Sequence, residues 1–312
     1  MKNKRILLPG GAGLVGQNLI ARLKLRGYTD IVVLDKHQEN LKTLSSLYPD
    51  VTAIECDLSK PGDWFSWFDG ARAVVMLQAQ IGGLYYSEFE ANNLVATGHI
   101  LEVIQKYQVP YLVHISSSVV ESVADDFYTR SKIAQEQMVL ESGIDCPILR
   151  PTLMFGWFDR KHLGWLSRLM KKIPIFPIPG NGRFMRQPLY AGDFSNIIIS
   201  CIENRIPGGI FNISGHEKID YIDMMRTIKE VSGAKAKLVK IPYSLFYALL
   251  WVWALFDKNP PFTTQQLQAL VAGDEFEIID WPAIFGVRFT PFREALEETF
   301  SHPTYSAVIL NF

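Results

Sequence analysis

The sequence predicts an α/β fold, a doubly wound parallel sheet with a smaller second domain. Three observations carry this. Short β-rich apolar runs alternate with stretches of helical period through the first half of the chain. Those runs are apolar at nearly every position, as parallel strands covered on both faces must be. The texture then changes after Arg150-Pro151, where Pro174, Pro177, Pro179, Gly180 and Gly182 make a loop-rich region. A length of 312 residues suits one large domain or two modest ones.

The elements follow in order. Residues 6–8 form the first strand, 14–25 a helix that stops near Gly27, and 31–34 the second strand. Residues 51–55, 73–77 and 111–115 are further strands. Between the last two, Leu94, Ile100, Leu101 and Ile104 give residues 92–107 a helical period. A helix at 194–201, a strand at 210–213 and more helices come later. The expected division is a first domain over 1–155, to which 187–217 returns, and a discontinuous second domain over 156–312.

Bulk properties narrow the function. The formal charge of −1 gives no sign of a nucleic-acid partner or an anionic membrane, though it leaves room for a local basic patch. Cys56, Cys146 and Cys201 are odd in number and lack metal-ligand spacing, so a reduced, cytoplasmic setting without a bound metal is expected. The apolar run behind Met1-Lys2-Asn3-Lys4-Arg5 is too short for a signal peptide. Residues 245–256 are almost wholly apolar, with Trp251 and Trp253, and lie between Lys240 and Asp257-Lys258. A spanning helix needs roughly 20 apolar residues. The expectation is a buried or dimer-facing helix, and the alternative is one lying on a membrane surface.

The first strand runs into Gly10-Gly11-Ala12-Gly13-Leu14-Val15-Gly16. Gly10, Gly13 and Gly16 allow a tight turn, close approach of backbone to a diphosphate, and close packing of helix on strand. The helix N-terminus at Leu14 and Val15 offers free N–H groups and a positive dipole end to an anion. This β-α-β unit therefore predicts a dinucleotide site. Asp35 ends the second strand, where a carboxylate can accept both ribose hydroxyls of the adenosine half and repel an added phosphate. NAD is expected; Lys36, next in sequence, makes NADP the alternative. Asp57-Leu58, after the third apolar run, either border the adenine or begin the next helix, with Asp57 as its N-cap.

Tyr128-Thr129-Arg130-Ser131-Lys132 puts a phenol and an ammonium four residues apart, on one face of a helix that Gly143 ends. An unperturbed tyrosine has a pKa of ~10, and a nearby lysine cation is expected to lower it. The phenol could then exchange a proton with a substrate hydroxyl or carbonyl. Ser116-Ser117-Ser118 end the preceding strand, at the sheet edge where ligands sit.

These residues together resemble the extended short-chain dehydrogenase/reductase family, in its NAD-dependent nucleotide-sugar epimerase and dehydratase branch. The resemblance covers nearly the whole chain and implies a Rossmann-type sheet. Gly10, Gly13 and Gly16 match the family's glycine turn, Asp35 its ribose-binding acid, Asn93 and Thr97 its Asn-x-x-x-Thr helix, and Tyr128 and Lys132 its Tyr-x-x-x-Lys pair. Ser117 falls on the catalytic Ser/Thr, with Ser118 as the alternative. Arg150-Pro151 and Gly156 resemble the stretch after the sixth strand. Arg186, followed by Asp193, resembles the segment that grips a sugar-nucleotide diphosphate, and residues 281–299 the C-terminal helix. The chain departs from the pattern at Pro9, at Leu153-Met154, and at Val120-Glu121-Ser122, where a short loop leads to Tyr128. No acid pair follows Ser117, which disfavours dehydration of a sugar.

The resemblance implies an NAD-dependent nucleotide-sugar epimerase with Tyr128 as acid and base and Lys132 and Ser117 beside it. A 4-keto-sugar reductase and a weakly catalytic dinucleotide-binding accessory protein are the alternatives, and steroids or lipids are further candidate substrates. It also implies a small-molecule substrate and a homodimer built from the helices at 92–107 and 128–140.

Overall fold

Seven short segments lie side by side as one parallel sheet: β1 (Ile6–Pro9), β2 (Ile31–Asp35), β3 (Thr52–Glu55), β4 (Ala73–Met76), β5 (Leu112–Ile115), β6 (Pro147–Pro151) and β7 (Gly209–Ile213). Their order is β7-β6-β5-β4-β1-β2-β3. This computed structural model describes residues 4–122, 125–256, 263–272 and 277–311. Every residue of β1, β4 and β5 is buried, which is why these strands are apolar but for His114 in β5. Strand order reverses between β1 and β4, and the crevice beyond their carboxyl ends is where such sheets hold ligands.

Helices cover both faces. On one, α1 (Leu14–Leu25) and α2 (Gln38–Leu47) pack with α5 (Ala191–Asn204); Leu19, Ile20 and Leu23 meet Phe194, Ile197 and Ile198 there. On the other, α3 (Ala96–Lys106) and α4 (Phe127–Glu141) join Trp64 and Phe68 over Leu7, Val32 and Val74. A separate core gathers Phe155, Met170, Ile178, Tyr221, Met225, Phe292 and Leu296. It lies among helices Leu163–Lys172, Tyr221–Ser232 and Phe292–Ser301. The C-terminal residues return to the first β-α-β unit. Arg22 reaches Tyr190 at 2.9 Å and Glu298 at 3.0 Å, and Asn40 and Asn311 exchange two hydrogen bonds of 2.9 Å.

Four expectations change. The stretch at 92–107 is not one regular helix: Glu90–Val95 is π-helical and the α-helix begins at Ala96. The loop-rich region contains a strand, Ile175–Pro179, paired in parallel with Lys237–Ile241. Two strands form no interior sheet position, so the prolines remove no interior ladder hydrogen bond. Residues 281–299 form two helices, Trp281–Phe285 and Phe292–Ser301, because Gly286 turns left-handed (φ 61°) and Pro291 precedes the second. The apolar helix Tyr243–Phe256 is not buried; within it only Leu250 is. Its flank Asp257-Lys258 lies outside the described residues.

A Cβ on Gly16 would sit 2.2 Å from the carbonyl oxygen of Gly11, so α1 can cross the turn this closely only without a side chain. Gly16→Ala should lower the unfolding free energy by about 1–3 kcal/mol. Urea denaturation checks this; an unchanged midpoint would mean that the helix can shift freely.

Candidate active site

The turn between β1 and α1 has the shape of an anion cradle. Gly10 is left-handed (φ +75°), and a Cβ there would lie 2.4 Å from the Cα of Gln78. Gly13 differs: the only atom near its missing Cβ is Gly10 O at 3.8 Å, so the turn is open on the side a ligand would approach. Gly13 is also the N-cap of α1, no side chain caps the helix, and its first turn has no acid. The N–H groups around Leu14, Val15 and Gly16 thus keep the positive end of the helix for an anion.

Asp35 is fixed by both oxygens. Oδ2 accepts from the Ala12 N–H and Oδ1 from the His37 N–H, each at 3.0 Å. Lys36 extends away to donate to Asn92 Oδ1 at 2.7 Å. Asp57 closes a local turn: its Oδ1 accepts from Ser59 N and Oγ, and Lys60 lies 3.2 Å from Oδ2. The Ser59 hydroxyl in particular holds its carboxyl below the usual range. It does not cap the next helical segment, Asp63–Phe68, whose N-cap is Gly62. Leu58 is buried, and its carbonyl faces His99 Nδ1 at 3.1 Å.

On the other side of the crevice, Asp126 caps α4 by accepting from Thr129 N at 2.8 Å. Tyr128 and Lys132 follow one turn apart. The Ser117 side chain acts on the Tyr128 phenol as a hydrogen-bonding neighbour that favours its ionised form. Ser118 stands one residue on, at the start of a short 3-10 turn, Ser118–Glu121. Burial raises the Tyr128 phenol above its ordinary value, Ser117 opposes that rise, and Asp126 adds to it. The expected lowering by Lys132 is absent here. The reason lies in the lysine's own environment. Lys132 is 1% exposed, and its ammonium donates to Ile115 O at 3.0 Å and to Gln135 Oε1. Burial pushes its own pKa down to about 7, against the pull of Glu136.

Sequence reasoning missed what holds this pair. Gln135 Nε2 donates to Thr97 Oγ1 at 2.9 Å, and Gln78 Nε2 donates to the same oxygen at 3.2 Å. Asn93, fully buried in the π-helical stretch, accepts from Gln80 N at 2.7 Å and donates to Ser131 Oγ at 2.9 Å. It therefore ties the loop after β4 to α4. Glu136 accepts from Ser116 Oγ at 2.5 Å and pairs with Arg150, which reaches Glu121 at 2.6 Å. Gln135 lies three residues beyond Lys132, on the same helix face, and that spacing was the available signal.

The remaining candidates lie on other elements. Arg186 is in the two-residue strand Met185–Arg186, paired antiparallel with Ile219–Asp220, and its charge acts on the buried Tyr221 phenol. Asp193, in the first turn of α5, accepts from Thr290 N at 3.0 Å and Oγ1 at 2.6 Å, and burial raises its carboxyl to about 6. A Cβ on Gly156 would meet Ala191 Cβ at 2.9 Å, so this glycine is a packing position.

The Lys132 environment has a pH signature. An unfolded chain holds this proton up to ~10.4, whereas the folded one holds it only to about 7. Between these values the unfolded state binds more protons, so the lysine's contribution to stability rises with pH. Protein purified without dinucleotide should gain melting temperature relative to Lys132→Met between about pH 7 and pH 9. A constant difference would show that the ammonium is solvated.

Residues 6–214 match the NAD dependent epimerase/dehydratase family. Sterol-4-alpha-carboxylate 3-dehydrogenase, decarboxylating, of Schizosaccharomyces pombe is 27% identical over 300 residues, 86% of this chain and 88% of that protein. Among solved structures, UDP-glucose 4-epimerase of Thermotoga maritima, determined with UDP-glucose, has a TM-score of 0.73 at 18% identity. UDP-glucuronic acid 4-epimerase of Bacillus cereus, determined with NAD, has a TM-score of 0.67 at 20% identity. Each covers 96% of this chain and 98% of its own. The glycine turn, the carboxylate at the end of β2 and the Tyr128–Lys132 pair thus sit in a chain that belongs to the NAD-dependent epimerase/dehydratase family, as an enzyme of the extended short-chain dehydrogenase type.

Proposed function

We propose that this chain is a nucleotide-sugar epimerase that binds NAD at the β1–α1 turn and uses Tyr128 as its acid and base. The observation that carries the chemistry is the Tyr128 phenol, with Ser117 acting on it, one helical turn from the buried Lys132. Gly10, Gly13 and Gly16, with the N–H groups of Leu14 and Val15, would hold the diphosphate, Asp35 the adenosine ribose, and Asp57 and Leu58 the adenine edge. Lys132 would hold the second ribose. Bound there, NAD would supply hydride acceptance and return at a substrate carbon. The chain itself manages the proton. Tyr128 Oη takes it from the substrate hydroxyl and gives it back, and Ser117 Oγ hydrogen-bonds the reacting oxygen. Burial makes the free phenol a poor base, so Tyr128 must first lose its own proton to solvent, which the positive charge of a bound nicotinamide ring would favour. Ser118 and Arg186 are proposed to contact the substrate, Arg186 through its diphosphate.

Support for the sugar comes from the full-length fold match to UDP-sugar epimerases. A second reading, net oxidation of a sterol-like secondary alcohol, is favoured by the sterol dehydrogenase relative. It uses the same residues. A homodimer would bury exposed apolar side chains of the π-helical stretch and α4: Val95, Ile133 and Leu140.

Incubation with UDP-, dTDP-, GDP- and CDP-sugars, and separately with NAD and a 3-hydroxysterol, separates the readings. Sugar interconversion without net NADH is expected; stoichiometric NADH from the sterol alone would replace the first reading with the second. Tyr128→Phe should lower kcat by about 10²–10⁴-fold and leave calorimetric NAD binding intact. Asp35→Ala should weaken NAD by about tenfold or more and narrow its margin over NADP. An unchanged NAD affinity would remove Asp35 from the site.

A further inference from the structure

We propose that helix Tyr243–Phe256 is a membrane-surface anchor that seats in one leaflet of an anionic bilayer. The inference is independent of the substrate reading.

The helix contains no charged residue and is the most apolar among the described helices. Leu245, Leu249, Trp251, Val252, Trp253, Leu255 and Phe256 are all more than two-fifths exposed, Phe256 at 87%. Isolated exposed apolar residues are ordinary, but a contiguous set marks an interaction surface. What decides the occupant is how the exposure is distributed. All of residues 251–256 are exposed. At about 100° per residue, six consecutive positions go round more than one full turn. One side of the helix meets helix Thr264–Ala272, but the exposure left over residues 251–256 is spread more widely than the one stripe that a protein groove covers. Lipid can follow such a surface. The 14 residues reach about 21 Å, short of the roughly 30 Å hydrocarbon core. Among the described residues no helix is long and apolar enough to cross. Tyr243, Trp251 and Trp253 are the amphipathic ring types that settle at the headgroup level.

The surrounding charge agrees. The chain is near neutral overall, but residues 163–178 and 234–256 contain no acid at all. These two stretches are joined by the parallel pairing of Ile175–Pro179 with Lys237–Ile241. They expose Lys171, Lys172, Lys235, Lys237 and Lys240, the last three of these lysines in the stretch that leads into the helix. A cationic ladder leading into an apolar helix is complementary to anionic headgroups above an acyl phase.

The test is flotation of the full chain with phosphatidylcholine vesicles and with vesicles that also contain phosphatidylglycerol. Binding is expected with the anionic vesicles and weakly with the neutral ones. Trp251→Glu with Leu255→Glu should cut binding by about tenfold or more. Lys240→Gln should cut it by about fivefold on anionic vesicles only. Melting temperature and dinucleotide binding of the variants report folding. Quenching of the unmutated chain's tryptophan fluorescence by brominated lipid reads insertion without any substitution. Failure of the unmutated chain to float, or equal flotation of the double variant, would overturn the proposal. So would a double variant that turns a dimer into a monomer while the unmutated chain ignores vesicles, since a second copy would then be the occupant.

Discussion

A lysine ammonium with almost no access to water sets the conditions around the site. Removing such a charge from water is costly unless every donor finds an acceptor. Lys132 meets this for two of its three N–H groups with a strand-end carbonyl and a glutamine side chain, and the glutamine in turn is held by Thr97 on a different helix. Gln78, at the end of β4, donates to the same threonine and also abuts the turn at Gly10. The lysine, α3, the end of β4 and the glycine turn are therefore one mechanical unit. The two halves of the crevice, glycine cradle and phenol, are held in fixed relation because one buried charge must be satisfied.

That unit also explains why the phenol is not activated in advance. Lys132 is engaged by Ile115 O and Gln135, and burial pulls its own pKa down, so Tyr128 keeps its proton, with Ser117 alone opposing the rise. A base that becomes effective only when the site fills protects against idle proton exchange. Asn93 extends the arrangement. A π-helical stretch moves its side chain inward, and distortions of this kind recur at functional sites.

The central sheet was legible because strands covered on both faces leave a continuous apolar run, and the glycines were legible because no other residue tolerates those contacts. The boundaries at 281–299 were written as Gly286 and Pro291, yet family likeness had joined them into one helix. The polar unit around Lys132 was much less legible. Thr97 was marked by family likeness, but Gln78 and Gln135 are ordinary polar residues in sequence, and they acquire a role only when three elements bring them to its one oxygen. The exposure of Tyr243–Phe256 was illegible for the opposite reason. Hydropathy reports what a helix avoids, which is water, and does not reveal whether protein or another phase replaces it.

The return of the C-terminus to the first β-α-β unit has a consequence for how the molecule comes into being. Asn40 and Asn311, which bond to each other twice, are 271 residues apart. At about 5–20 residues per second, a ribosome needs roughly 15–55 s to make the interval between them. Throughout that time the first β-α-β unit lacks this clamp and Arg22 lacks Glu298 for nearly all of it, while Asp193, once made, waits a further 97 residues for Thr290. The half that is made first is thus completed last, and its period of vulnerability is set by translation rather than by its own folding rate.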